Sequence, residues 1–571
     1  MNFLSDEDIK NRIEKSGNTL FFNSDDSISN LRFDFSPFHK INRIEFTQTF
    51  LDRVELIIGN QKIEFYQCKS NNNVLINSKS ESGNKIIVQD SKFDFFSINE
   101  GVINSIEILK SSFKNISLND CLLNGGARPC LIEASVCEFL NFNNVNSDGG
   151  ILIGKSEITK EISIIASDIF LLSFFKSTTE GDFEARNSKI SFSIFQSNFN
   201  GGFSCSNTKM PKFNSHFSQF VDEVYLDTSE ISGSECVIEK LELVSNIAKG
   251  GIYIGNYLVP KEIEQDKISN AKINGIVLRF MGANTSDVIF RNITIGDFSM
   301  TGINKTSAIQ VSDSLIEGKL VFVDLINLGH VSIGNCQFKK ESRMMFYTAN
   351  MGSFHLFAMD LSSYPIIDFY NSDLSKLNYY GLIWPNKQKI LKSELGHDFS
   401  QNSNNPLSDF HDYLIHRKEF NLQLKKVAES KSDVLNVLKF HKFEMLFQEQ
   451  LLKLDNKSSL GEHIILFLGK TNDYGNSWLR PVGLLLTFNF LMTGLLVFLL
   501  CNCSNSPEFG ADPLRNFGNI FFELLNPLHS KQIYGAEGVL FIVIVLDYLH
   551  RLVVSFFAFQ IVVAFRKYVR K

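Results

Sequence analysis

Asp90-Ser91-Lys92-Phe93 is followed about twenty residues later by Ser111-Ser112-Phe113, and the same phrase, a small polar residue or two ahead of a large apolar one, keeps returning. It stands at Val136-Cys137-Glu138-Phe139, Ser167-Asp168-Ile169 and Asn187-Ser188-Lys189-Ile190. Later copies are Ser312-Asp313-Ser314-Leu315, Asn335-Cys336-Gln337-Phe338 and Met359-Asp360-Leu361. Many intervals are about 20 to 26 residues and some are near half that, the period of a solenoid of short strands. From Ile41 to Tyr380 the surrounding text is Ile, Phe, Val, Ser, Asn and Asp in short alternating runs, which is strand-and-turn vocabulary. Coils that turn one large side chain inward per strand stack Phe and Ile into ladders. Asn, Asp and Ser belong at the corners, where they bond local backbone and tolerate tight turns. The 54 Phe, against 2 Trp and 11 Pro, call for such a long and repeatedly filled interior. The expected fold is mainly β: a right-handed parallel β-helix over 41–385 behind an N-terminal cap, 1–40. A pair of antiparallel sandwiches would need Asn-Gly hairpins at regular spacing, whereas Asn124-Gly125, Asn200-Gly201 and Asn274-Gly275 are irregularly placed. No helical periodicity is expected before residue 400.

After Trp384-Pro385 the composition changes. Residues 386–408, including the polar run Ser400 to Pro406, read as a linker, and 409–470 as a helical hairpin. Phe420, Leu424 and Val427 fall at i, i+4, i+7, and Val434, Leu438, Met445 and Leu452 form the stripe expected on the second helix. Glu429 to Asp433 separates the two, with Ser432 or Asp433 as the N-cap. His411, His416 and His441 lack companions at ligand spacing and read as helix-face histidines rather than a metal set.

Residues 471–571 read as a membrane segment. Val482 to Leu500 is almost wholly apolar and long enough for a bilayer core of roughly 30 Å, with Asn489 and Thr493 as polar exceptions on one face. A second span is expected over about 541–565. Trp478, Arg480 and Pro481 ahead of the first span, and Arg566, Lys567 and Arg570 after the second, are interfacial anchors. The basic tail places the C-terminus in the cytoplasm, and two crossings return the N-terminal domain to the same side. The opening residues, MNFLSDEDIKNRIEKSG, lack the basic and apolar regions of a secretory signal, in keeping with a cytoplasmic N-terminus. The second span carries Asp547, His550 and Arg551. Asp547 and Arg551 are spaced to pair on one helix face, and the set should face another helix or water rather than lipid. Between the spans, Pro513 to Asn526 is a short, possible re-entrant helix; no filter sequence of the TVGYG kind follows it.

Two stretches carry a resemblance. Thr471-Asn472-Asp473-Tyr474-Gly475-Asn476-Ser477-Trp478-Leu479-Arg480-Pro481 leads into the first span, and Gln560-Ile561-Val562-Val563-Ala564-Phe565-Arg566-Lys567-Tyr568 closes the second. Over Lys418 to Lys571 the chain resembles bacterial membrane proteins that join pentapeptide-like β-helix repeats to a helical hairpin and a two-helix, channel-like segment. The resemblance implies that fold and an inner-membrane address, and no activity.

The net charge of −6 lacks the electrostatic footprint of a nucleic-acid binder. Nine Cys (68, 121, 130, 137, 205, 236, 336, 501 and 503) show neither CxxC nor zinc spacing and read as small buried hydrophobes in a reducing compartment. No catalytic motif stands out, and no cofactor is expected. A polysaccharide-active β-helix enzyme would need clustered carboxylates and an extracellular address, and neither is legible here. The expected function is a membrane-anchored β-helix scaffold presenting a recognition or regulatory surface. Its expected partners are the lipid bilayer, a cytoplasmic protein and further copies of itself. The alternative is an oligomeric ion-conducting protein governed by the β-helix.

Overall fold

The computed structural model describes residues 2–569 apart from 221–223, 228–236, 256–271, 282–286, 386–405, 455–459, 504–512, 530–540 and scattered shorter positions. The chain divides into two compact units, Met1–Pro385 and Asn386–Lys571.

The first unit is a parallel β-solenoid of about 14 turns. Every strand pairing in it is parallel and joins one coil to the next, as in Glu157–Ile165 against Asp182–Arg186 and Asp168–Phe175 against Lys189–Phe195. Alternate side chains point inward, and the Phe ladders follow: Phe22, Phe46 and Phe65 stack at 4.7 and 5.0 Å, and Phe183 on Phe203 at 4.3 Å. Each fully buried ring of this kind contributes about 2–3 kcal/mol.

The repeated phrase is the corner of the coil. A residue in the left-handed region comes first: Asp90, Lys110, Ala134, Lys155 and Lys176 have φ of 48–52°. A buried Ser follows. Its hydroxyl donates to the carbonyl two residues back, at 2.8–3.3 Å for Ser91, Ser111, Ser135, Ser156 and Ser177. It also accepts the backbone N–H of the equivalent residue in the preceding coil. The series Cys68, Ser91, Ser111, Ser135, Ser156, Ser177, Ser197, Ser218 is linked in this way at 3.0–3.3 Å. A second ladder through Val145, Ser167 and Ser188 (3.1 Å each) alternates with the first along the chain. Each coil therefore has two such corners, which is why some intervals are half the period.

Two expectations are corrected at the N-terminus. Stacking begins well before residue 41: Thr19–Phe22 pairs with Arg43–Thr47, Asp26–Ser29 with Phe50–Asp52, and Arg32–Asp34 with Val54–Ile58. The first coil turns at Asn30 (φ 51°) without the Ser phrase that marks later coils. An amphipathic helix also lies ahead of residue 400: α1 (Asp6–Lys15) buries Ile9 and Ile13 over the first coil. Arg12 holds it there with a two-pronged bond to Asp26 at 2.7 and 2.8 Å. Two apolar residues are too few to register as a period. At the other end Trp384 is buried edge-on to Tyr379 at 5.6 Å.

The second unit is helical. α2 (Pro406–Ser430) and α3 (Val434–Leu454) form the hairpin, with Pro406 at a position where its missing N–H costs nothing. Asp433 caps α3, its Oδ1 accepting the Asn436 N–H at 3.2 Å. Phe420, Leu424 and Val427 are buried as expected. The buried stripe of α3, however, is Phe440, Phe443, Phe447 and Leu451 with Leu452, while Val434, Leu438 and Met445 are only half-buried. The larger Phe side chains take the inner face. His411 is exposed, and His416 and His441 are half-buried. Beyond the hairpin come α4 (Leu460–Thr471), α5 (Leu479–Cys503), α6 (Pro513–Leu524) and α7 (Phe541–Val569). Of these, α5 over Leu479–Leu500 and α7 over Phe541–Phe565 are long and apolar enough to cross a membrane. The linker 386–405, Cys236, and the side chains of Cys501, Cys503, Arg566, Lys567 and Arg570 lie outside the described residues.

Candidate functional site

α5 and α7 are apolar almost throughout, and the buried ones among their few polar side chains need partners within the protein. α6 packs against both through Leu496, Val497, Leu500, Ile520, Leu524 and Val543. This brings the polar residues of the two long helices together with the turn that leaves α6.

Asp547 and Arg551, one turn apart on α7, meet at 2.8 Å between Arg551 Nε and Asp547 Oδ2. The other carboxylate oxygen lies 2.7 Å from Nε2 of His529, just past α6. All of Asp547, His529 and His550 are buried. His529 Nδ1 is 2.7 Å from the Asn526 carbonyl. A carbonyl only accepts, so Nδ1 carries a proton. The contact between Nε2 and the carboxylate then needs a second proton, which makes the pair imidazolium–carboxylate or imidazole–carboxylic acid. In either form the His529–Asp547–Arg551 group carries one net positive charge.

His550, a turn on from Asp547 and next to Arg551, bonds through Nε2 to Asn489 Oδ1 of α5 at 2.9 Å and stacks on Phe488 at 5.6 Å. Asn489 Nδ2 donates to the Phe521 carbonyl at 2.9 Å, satisfying one of the carbonyls that the last turn of α6 leaves without a helical partner. This fixes the Asn489 amide, so His550 Nε2 is the donor. Thr493 donates to the Asn489 carbonyl at 2.7 Å. His550 Nδ1 and Arg551 Nη2 are buried without a hydrogen-bond partner among the described residues.

All five polar residues singled out in the two spans thus fall into one group: Asn489, Thr493, Asp547 and His550 are buried and Arg551 is half-buried. His529 had not been singled out. Its only signal was a histidine shortly after a short amphipathic helix, opposite a span whose aspartate has two acceptor oxygens and one evident partner. Among the described residues, no three His, Cys, Asp or Glu side chains gather as a metal site.

The residues expected at the interface group separately. The Trp478 ring packs on Phe565 at 5.2 Å, bringing the start of α5 to the end of α7. Arg480 Nη1 is 3.2 Å from Asp473, which also takes Lys442 Nζ of α3 at 2.7 Å. Asp473 and Tyr474, with φ of 54° and 57°, precede Gly475 at 85°, an unusual run of left-handed backbone. Asn472 Nδ2 donates to Gln560 of α7. Pro481 is the third residue of α5, within the first turn, where it displaces no helical hydrogen bond. Compared with known proteins, the chain matches no family model, no curated protein and no solved structure.

Proposed function

We propose that this protein is a membrane-anchored solenoid scaffold whose coils present a recognition surface to a cytoplasmic protein. Both chain ends lie on the inner side of the cytoplasmic membrane of a bacterium. The observation that carries the reading is a pair of outward aromatic stacks on the solenoid. Phe175 and Phe195 lie in register on neighbouring coils with rings 5.7 Å apart, and Phe357 and Tyr380 do the same at 5.3 Å. A coil has no packing need for large rings on its outside, and exposed apolar groups set side by side mark interaction surfaces. The resemblance to pentapeptide-like membrane proteins supports the same architecture. To test it, the full chain is recovered from detergent-solubilised membranes beside a Phe175→Ser, Tyr380→Ser variant. Reproducible co-purification of a cytoplasmic protein with the first and its loss from the second are expected. Equal recovery with both would sink the proposal.

A second reading, a proton or ion pathway built from several copies, is favoured by the shared proton between His529 and Asp547. Intramembrane ionisable groups often mark such paths. Two helices per copy cannot enclose a pore in a monomer or dimer. The native mass of the protein in nanodiscs and planar-bilayer recording separate the two readings. The scaffold expects one or two copies and flat traces; four or more copies with current abolished by Asp547→Asn would favour the pathway.

A further inference from the structure

α4 turns its apolar side away from the rest of its unit. At 3.6 residues per turn, Ile464, Phe467 and Leu468 share one side of this helix with Ile465 at its edge, and Leu466 points the opposite way. Leu466 is the residue that packs: it is 6% exposed, against Leu452 and Tyr474 of the hairpin side. Lys470, on the same flank as Leu466, reaches Glu449 of α3 at 2.6 Å. The helix is therefore held with its apolar side outward, leaving Ile464, Ile465 and Phe467 at 48%, 69% and 68% exposed. Side chains of this size in one exposed stripe call for a covering partner.

We propose that this partner is the bilayer interface: α4 lies along the membrane surface with Ile464, Ile465, Phe467 and Leu468 among the upper acyl chains. The proposal rests on α5 and α7 crossing the membrane. Two links set the depth of α4. The contact of Trp478 with Phe565 brings the start of one span level with the end of the other. The bond from Asn472, next to the last residue of α4, goes to Gln560. Gln560 lies five residues inside Phe565, about 7.5 Å along the helix axis at 1.5 Å per residue. Amphipathic helices that lie on membranes bury their apolar side by about 5–10 Å, a depth that this bond matches at the C-terminal end of α4. α5 exposes apolar residues as well, among them Leu479, Leu484 and Leu486. Lipid covers the exposed apolar residues of both helices, whereas a soluble partner or a second copy seated on α4 would leave those of α5 bare.

The test uses the full chain in phosphatidylcholine nanodiscs containing lipids spin-labelled either near the glycerol or near the chain end. In a Trp384→Phe, Trp478→Phe background, Phe467→Trp reports on α4 and Leu491→Trp on the middle of the first span. Phe467→Trp fluorescence should be quenched roughly two-fold more by the shallow label than by the deep one, as a burial of about 5–10 Å requires. Leu491→Trp should show the reverse order. If Leu491→Trp is quenched and Phe467→Trp is not, whether its emission reports water or protein around it, the interfacial helix is overturned and the anchor stands. If neither is quenched, the membrane reading itself fails and takes this inference with it. Should the background variant not fold, the unaltered chain is labelled with a photoactivatable lipid whose carbene forms near the glycerol. Adducts on Ile464–Phe467 support the proposal, and adducts confined to the two spans overturn it.

Discussion

Ser156 accepts the Ser135 N–H and donates to the Gly154 carbonyl, so one small side chain closes two backbone groups at a buried corner. Ser156→Ala leaves that N–H without a partner, and the loss should be about 1–3 kcal/mol, read as a lower thermal midpoint of the solenoid transition. The neighbouring left-handed residues act in the opposite sense. Ala134 holds φ at 52°, a conformation that costs an L-residue about 1–2 kcal/mol and glycine little. Relief of that strain exceeds the added freedom of the unfolded chain where φ is positive, so Ala134→Gly should raise the same midpoint; a lowered midpoint would overturn this ranking. In the helical unit the decisive side chain is Asp547, which faces both Arg551 and His529. Removing one member of a buried charged group is strongly destabilising, about 3–5 kcal/mol. Asp547→Ala should show a loss of that order in denaturant titrations of the protein in bicelles, with Asn489→Ala losing less.

The hairpin and the joint that follows it are elements whose sequence text was readable in outline and wrong in detail. Glu444, on the buried face of α3, takes Lys425 Nζ at 2.6 Å and His441 Nδ1 at 3.2 Å. Burial alone would push its carboxyl up. The bonds to His441 and Lys425, with their charges, outweigh that and hold it at about 2. A carboxylate depressed in the folded state contributes stability that is present above its unfolded value and lost as pH falls through the folded one. Hairpin stability should thus decline as pH drops from about 4.5 to about 2, and Glu444→Gln should remove that decline in helical circular dichroism followed against pH. In the joint, the buried Tyr474 hydroxyl has no hydrogen-bond partner among the described residues, and burial, with Glu449 and Asp473 nearby, pushes it up to about 12. A buried donor without a partner costs stability, so Tyr474→Phe should be neutral or stabilising by up to about 1 kcal/mol in the same melts. A large loss would mean that the hydroxyl is bonded to something the fold does not show.

Taken together, the solenoid is quasi-one-dimensional. Each coil touches its neighbours through parallel pairings and a shared Ser ladder, so stability sums over adjacent coils rather than over one global core. Its cysteines follow the same logic. Burial pushes the thiols of Cys121, Cys130 and Cys137 up to about 12 and that of Cys68 to about 11, which leaves them unreactive while folded. Alkylation of native protein should spare these four and reach them only on unfolding, and mass spectrometry of labelled peptides checks this. The second unit obeys a different rule. Its two long helices are apolar, and the polar residues of α5, α7 and the turn after α6 answer one another, with His550 Nδ1 and Arg551 Nη2 the atoms of the group left over among the described residues.

The sequence sufficed for features that repeat or accumulate along the chain. The Ser-then-apolar phrase announced the coil because every corner solves the same local problem, and two long apolar runs announced candidate spans because length and hydropathy add residue by residue. The pairing of Asp547 with Arg551 was legible too, being set by helix pitch. What only the folded arrangement decided were partners distant in sequence: His529 for Asp547 across 18 residues, Asn489 for His550 across 61 and Asn472 for Gln560 across 88. No period or propensity encodes such contacts, since they depend on how α5 and α7 pack on each other and on where α6 and the joint bring their ends. The same holds for α4, whose composition is as compatible with a buried face as with an exposed one. Its outward orientation follows from Leu466 and Lys470 being taken by the hairpin, a choice made by packing in three dimensions.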